Sequence, residues 1–311
     1  MNPKTLYIIA NGFDLHHSIP SGYDDFQIWL KDKSPSLYEQ VSTAFGDLDY
    51  YEKWCDFEES LASFEAAGFV EEIVRDNYPN PASDDFRDRD WHAAEIMAEG
   101  ELKYLFKRIR KAFGLWVSDL KKDYKKDHIG RKIHLDAKDA FFITFNYTST
   151  LETLYQVPSE QILHIHGHAQ KYEDWESLVL GHGKDYEDVK KDLNINVDNG
   201  EFPFVEDNVS RVTVSIVANQ RKPVEEIIAS NKELFEQFKH VKEVNVFGFS
   251  WSDIDLPYIE KITSVIDTKA VQWNVSYHSK DNKDEYKDKL CSLGIPVENI
   301  KMIKLTDLLQ S

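Results

Sequence analysis

Short apolar runs that end abruptly in polar, turn-forming residues recur along this chain, with stretches of helical periodicity between them. Leu6–Ala10 runs into Asn11-Gly12, Ala140–Phe145 stops at Asn146, and Ile162–Ile165 ends at His166-Gly167-His168. Leu178–Leu180, Val244–Phe247, Val271–Tyr277 and Ile300–Leu305 complete the predicted strands. Helical spacing predicts helices at Asp56–Ala67, with Asp56 as cap, and at Leu102–Leu120, where Leu105, Ile109, Phe113 and Trp116 trace one face. Further helices are predicted at Thr148–Tyr155, Pro223–His240, Leu256–Ile266 and Lys283–Leu293. Apolar strands alternating with helices imply an α/β fold around a parallel, doubly wound sheet.

The segment between the first two strands breaks that alternation. It predicts a helical subdomain, residues 50–125, inserted into a single α/β domain spanning 1–311. Two stretches carry turn chemistry, His16–Asp25 and the proline-containing Asn77–Arg89. The polar stretch 185–211 is expected to be an irregular insertion or lid. Lys121, Lys122, Lys125 and Lys126 follow the long predicted helix, where cations oppose its dipole.

Composition narrows the function classes. With 311 residues, 41% hydrophobic, 7 Trp, 15 Tyr and 18 Phe, the chain can bury a substantial core. A formal charge of −18 argues against a broad footprint for nucleic acid, whose binding requires phosphates to be neutralised. The two cysteines, Cys55 and Cys291, form neither a metal-ligand spacing nor a disulfide scaffold. The first apolar run is too short for a signal peptide, and no stretch approaches the roughly 20 apolar residues a membrane span needs. A cytoplasmic location away from membranes is expected.

Four segments carry candidate chemistry. Asn11-Gly12-Phe13-Asp14 follows a strand as a nucleotide-binding turn would, although the full G-x-G-x-x-G fingerprint is absent and a structural turn fits as well. Asn146 and the trio His164, His166 and His168 form the second. On a continuous strand the three imidazoles share one face but span about 13 Å, too far for one metal, although a mixed site with Asp14, His16, His17 or His182 stays open. No metal is expected. Gly248-Phe249-Ser250-Trp251-Ser252-Asp253-Ile254-Asp255 is the third: Gly248 and Ser250 suit a phosphate and Asp255 a ribose, while Ser252, Asp253 or Asp255 could instead cap the next helix. Leu180-Gly181-His182-Gly183-Lys184 is a glycine-bearing turn that could equally approach a ligand.

In these blocks the chain resembles the AbiH family of bacterial phage abortive-infection proteins. The likeness runs through NGFDLHHSIPSGYDDF (11–26), WCDFEESL (54–61), FNYTSTLE (145–152), HIHG (164–167), LVLGHG (178–183) and GFSWSDIDLPYI (248–259). That family in turn is similar to sirtuin-like proteins, whose Rossmann-type core binds NAD. A sirtuin strand ends in the Asn of Q-N-I-D and the catalytic His lies in a later H-G. Asn146 and His166-Gly167 stand in matching positions, twenty residues apart. The departures are as informative. Asn11-Gly12-Phe13 replaces the sirtuin G-A-G, Phe145 replaces the Gln, and the four cysteines of the sirtuin zinc module are absent.

The resemblance therefore implies hydrolysis of NAD rather than lysine deacylation. It makes Asn146 and His166 the catalytic pair and places Asn11, Gly12, Phe13, Asp14, Gly248, Ser250 and Asp255 around the nucleotide. It implies NAD or a related nucleotide as ligand, and control through a homo-oligomer, a lid or a defence-system partner protein. The alternative is a nucleotide-sensing or scaffold subunit that binds without turnover. A metal-dependent nuclease finds no paired-carboxylate constellation to support it.

Overall fold

In the computed structural model, the described residues are 3–45, 48, 53–120, 131–169, 174–194 and 203–309. Six strands form one sheet: β1 (Thr5–Ile9), β2 (Ala140–Thr144), β3 (Ile162–His164), β4 (Glu243–Phe247), β5 (Gln272–Ser276) and β6 (Ile300–Ile303). Their order is β3-β2-β1-β4-β5-β6 and every pairing is parallel. The order reverses between β1 and β4, which makes the fold Rossmann-like.

Both faces of the central strands are buried, and that is why β1, β2 and much of β4 read as near-continuous apolar runs. Leu6, Ile8, Ile143, Val244, Val246, Trp273 and Val275 face one layer, where they meet Tyr258, Ile259 and Ile262 of the helix Leu256–Val265 and Leu290 of Lys280–Ser292. Tyr7, Ile9, Ala140, Phe142 and Phe247 face the other, against Phe13 and Leu151. Each such side chain contributes about 1.5–3 kcal/mol by leaving water. The helices carrying Phe13 and Leu151, Asn11–His16 and Thr150–Tyr155, start right after β1 and shortly after β2, so the sheet sets the polar residues at their beginnings.

The chain divides into two compact units. Met1–Gly22, Gly114–Val179 and Pro223–Ser311 form the first, which holds the sheet. Tyr23–Phe113 and Leu180–Lys222 form the second, which has no strand among its described residues. In the second unit Val70, Ile73 and Val74 of the helix Ala66–Asn77 pack with Ala94, Ala98, Val205 and Val209. A separate aromatic cluster there joins Tyr23, Phe26, Trp54, Phe57 and Phe113. No described helix is long and apolar enough to cross a membrane.

The sheet matches the predicted strands within a residue or two, with one exception. Leu178–Leu180 forms no strand, and Val179 N–H instead donates to the carbonyl of His166 at 2.8 Å. The helices depart further. Asp56–Ala67 is a 3-10 turn, Lys53–Asp56, followed by the single helical turn Phe57–Ser60. Its aromatic anchors pull apart, Phe57 toward Trp54 and Phe26, and Phe64 toward Phe45 and Phe69. Asn231 interrupts the predicted Pro223–His240 helix, its side-chain amide and backbone N–H both donating to the Ile227 carbonyl. The turn-rich stretch His16–Asp25 lies between two helices and overlaps the end of Asn11–His16 and the start of Tyr23–Lys33. The expected irregular stretch 185–211 is helical in its described parts, within Tyr186–Leu193 and Pro203–Ala218. The four lysines at 121–126 lie outside the described residues.

Candidate functional site

The carboxyl ends of β1, β2, β3 and β4 gather the candidate residues. At the switch between β1 and β4 the backbones are bolted together. Ala10 N–H donates to Phe247 O at 3.0 Å, and Gly12 N–H donates to Gly248 O at 2.9 Å. A Cβ on Gly12 would lie 2.7 Å from the Gly248 Cα, and one on Gly248, at φ +71, would lie 2.1 Å from Phe13 N. Gly248 N–H is itself given to Ser276 Oγ at 2.8 Å. These glycines thus permit close backbone approach, and their amides are committed within the protein. Asn11 Oδ1 accepts from Ser21 Oγ at 2.6 Å, while the fully buried Phe13 ring packs on His17 and Tyr155.

Asp14 lies in the first helix after β1 and is completely buried. Its Oδ2 accepts from Thr148 Oγ1 at 2.5 Å, and Thr148 lies 3.1 Å from the Thr150 hydroxyl. The second carboxylate oxygen is buried without a hydrogen-bond partner. Burial raises the Asp14 carboxyl to about 6, against the opposing pull of hydrogen bonds, chiefly from Thr148. Asn146, also buried, is fixed at both ends: Nδ2 donates to Ala10 O at 3.2 Å and its backbone N–H donates to Thr144 Oγ1 at 3.1 Å. Asp14, Asn146 and the two threonines therefore form one polar group between the ends of β1 and β2.

His166 and Asp255 form a second group. They arrive from beyond β3 and β4, yet His166 Nε2 lies 3.6 Å from Asp255 Oδ1. The imidazole is 2% exposed, edge-on to Phe145 with ring centroids 5.2 Å apart, and near Tyr147 and Tyr258. Between Ser250 and Asp255 the buried Trp251 sits at φ +60, a conformation bulky side chains seldom adopt. Ser250 itself is exposed.

The other two histidines of the trio overturn the expected strand geometry. β3 ends at His164, and Gly167 at φ +91 turns the chain back. The His168 ring is thereby stacked on His164, with centroids 3.7 Å apart and planes 6° apart. His164 Nε2 lies 2.9 Å and His168 Nδ1 3.7 Å from Glu152 Oε1. Burial works to raise the Glu152 carboxyl, but His164 beside it, by hydrogen bond and charge, holds it below its ordinary value.

His17 and His182 have structural surroundings. His17 Nδ1 donates to Phe13 O at 2.7 Å, and its Nε2 accepts from the Tyr155 hydroxyl at 2.7 Å. In the second unit, His182 Nε2 donates to Val217 O at 2.9 Å and Nδ1 accepts from Lys184 N–H at 3.2 Å. Burial lowers the His182 imidazole below its ordinary value.

Thr148, Ser149, Thr150 and Glu152 are functional candidates that the sequence reading did not select. A signal for them existed: Thr148-Ser149-Thr150, three consecutive hydroxyl residues, begin two positions after a strand-ending Asn, where a sheet opens to ligand.

No curated protein and no solved structure matches this chain. The family model described as "Bacteriophage abortive infection AbiH" matches residues 6–277, a span that holds every residue of both polar groups. The chain belongs to the AbiH family of bacteriophage abortive-infection proteins.

Proposed function

We propose that this protein is an abortive-infection effector that hydrolyses NAD to nicotinamide and ADP-ribose, depleting the host of NAD. The observation that carries the reading is the convergence of His166 and Asp255, 3.6 Å apart, over the carboxyl end of a Rossmann-like sheet. Family membership supports the defence role, and the sequence likeness to sirtuin-like proteins supports NAD as the substrate.

In this mechanism a water oxygen attacks C1′ of the nicotinamide ribose as its bond to the nicotinamide nitrogen breaks. The bonding pair leaves with nicotinamide, which departs neutral, so no strong acid is needed. His166 accepts the water's proton, and Asp255 offsets the positive charge that appears on the ring. Asn146 orients the ribose or the water, with Asp14 toward a ribose hydroxyl. Asn11, Gly12, Gly248 and Ser250 shape the surface facing the pyrophosphate, and the buried Phe13 ring anchors that turn in the core. Such an effector must be silent before infection, and we assign its control to self-association or a defence partner.

The second reading is a binding subunit without turnover, favoured by the near-complete burial of His166. Calorimetry and nicotinamide release, measured on the same preparations, separate the two. The hydrolase reading expects NAD binding in wild type, His166→Ala and Asp255→Asn, with release lost in His166→Ala and reduced in Asp255→Asn. Wild-type release rates in both variants contradict it, and tight binding with no release in any preparation selects the second reading.

A further inference from the structure

We propose that Glu152, His164 and His168 form a binding site for one divalent transition-metal ion of the zinc class. The site stands independently of the NAD reading. One ligand atom from each residue lies within 4.8 Å of the other two. In a tetrahedral zinc site, bonds near 2.1 Å place ligand atoms about 3.4 Å apart, so closure needs the two stacked rings to splay until their lone pairs converge. Two imidazoles and one carboxylate are also the ligand set of hydrolytic zinc sites, which keep a fourth position open.

Hydrogen-bond accounting is what singles this cluster out. His164 Nδ1 lies 3.1 Å from the backbone carbonyl of Asn146, which can only accept, so Nδ1 carries the proton. In the neutral ring, Nε2 then presents a lone pair, and it points at Glu152 Oε1 across 2.9 Å. A lone pair facing a carboxylate oxygen requires a proton or a metal ion between them. His168 Nδ1 faces the same carboxylate at 3.7 Å, while its Nε2 lies 2.8 Å from Ser149 Oγ, a hydroxyl that donates or accepts. Glu152 Oε2 is buried with no hydrogen-bond partner.

A proton on His164 Nε2 would also satisfy that one contact, whereas a metal ion would engage His164, His168 and Glu152 together. One metal ion would take a lone pair from each ring together with the carboxylate. The outward-facing ring nitrogens already have a carbonyl and a hydroxyl to donate to, the outer-shell partners that metal-bound histidines use. Because His164 donates to the Asn146 carbonyl, a bound metal would brace the backbone of the residue that ends β2.

The test uses full-length protein stripped with a chelator and dialysed. Zinc is titrated by calorimetry and cobalt(II) by its visible absorption. The expected result is one equivalent per chain at micromolar affinity or tighter, with a four-coordinate cobalt spectrum. Glu152→Gln and His168→Ala should each weaken binding about 100-fold or more, while His278→Ala, away from the cluster, should leave it unchanged. Circular dichroism confirms folding, and Glu152→Gln keeps the side-chain shape if His168→Ala does not fold. Absence of stoichiometric binding, or binding that survives Glu152→Gln unchanged, overturns the proposal. So does nitrogen-15 NMR showing His164 doubly protonated in the presence of equimolar zinc.

Discussion

Gly12 donates its backbone N–H to the carbonyl of Gly248 at 2.9 Å, and neither residue has space for a Cβ. The contact ties the turn after β1 to the turn after β4 at the point where the strand order reverses. In the second residue both sterics and a φ of +71 exclude a side chain. Gly248→Ala is therefore expected to cost on the order of 3 kcal/mol or more, and Gly12→Ala a comparable amount. Urea denaturation checks this. Wild-type midpoints in both variants would show that the turns yield more easily than their packing implies.

Asp14 makes stability depend on pH in a particular direction. Its carboxyl titrates at about 6 in the folded chain, against 3.8 ordinarily. The unfolded chain therefore gives up this proton at lower pH than the folded one. The contribution is fully present below 3.8 and is lost as pH rises through about 6, a change of about 2–3 kcal/mol. Asp14→Asn keeps an oxygen for Thr148 without burying a charge. It should be about 2 kcal/mol more stable than wild type at pH 7.5, with the difference gone by about pH 4. Paired denaturation curves across that range read it out, and a difference independent of pH would contradict it.

Tyr155 serves two buried partners at once. Its hydroxyl donates to His17 Nε2 and accepts from Ile133 N–H at 3.0 Å. Tyr155→Phe keeps the ring contact with Phe13 but strands both polar groups, at an expected cost of about 2 kcal/mol. The check is chemical denaturation of Tyr155→Phe beside wild type. A cost near zero would mean that water replaces the hydroxyl.

The sheet was legible because β1 and β2 are apolar on both faces and stood out as runs ended by Asn, while β4, broken only by Asn245, runs up to Gly248. The second unit was not legible in the same way. Tyr23–Lys33 and Pro35–Ala44 follow a turn-rich stretch that masked their beginnings, and Phe57, Leu61 and Phe64 mimic a helix while anchoring to separate neighbours. Asn146 and Asp14 were legible as polar residues beside strand ends. The hydrogen bond from Thr148 to Asp14 was not, since it joins residues 134 apart in sequence. The stacking of His168 on His164 was hidden for a different reason. It depends on Gly167 reversing the chain, and strand alternation assumes that no such reversal occurs.

One measurement bears most directly on the central claim. Purified wild type and His166→Ala are incubated at high concentration with NAD, and NAD and nicotinamide are followed together over time. The account expects wild type to convert NAD to equal amounts of nicotinamide and ADP-ribose, and His166→Ala to leave NAD intact. Equal NAD loss in the two proteins would contradict the role of His166. NAD that stays intact with a wild-type protein shown by calorimetry to bind it would contradict the hydrolase itself.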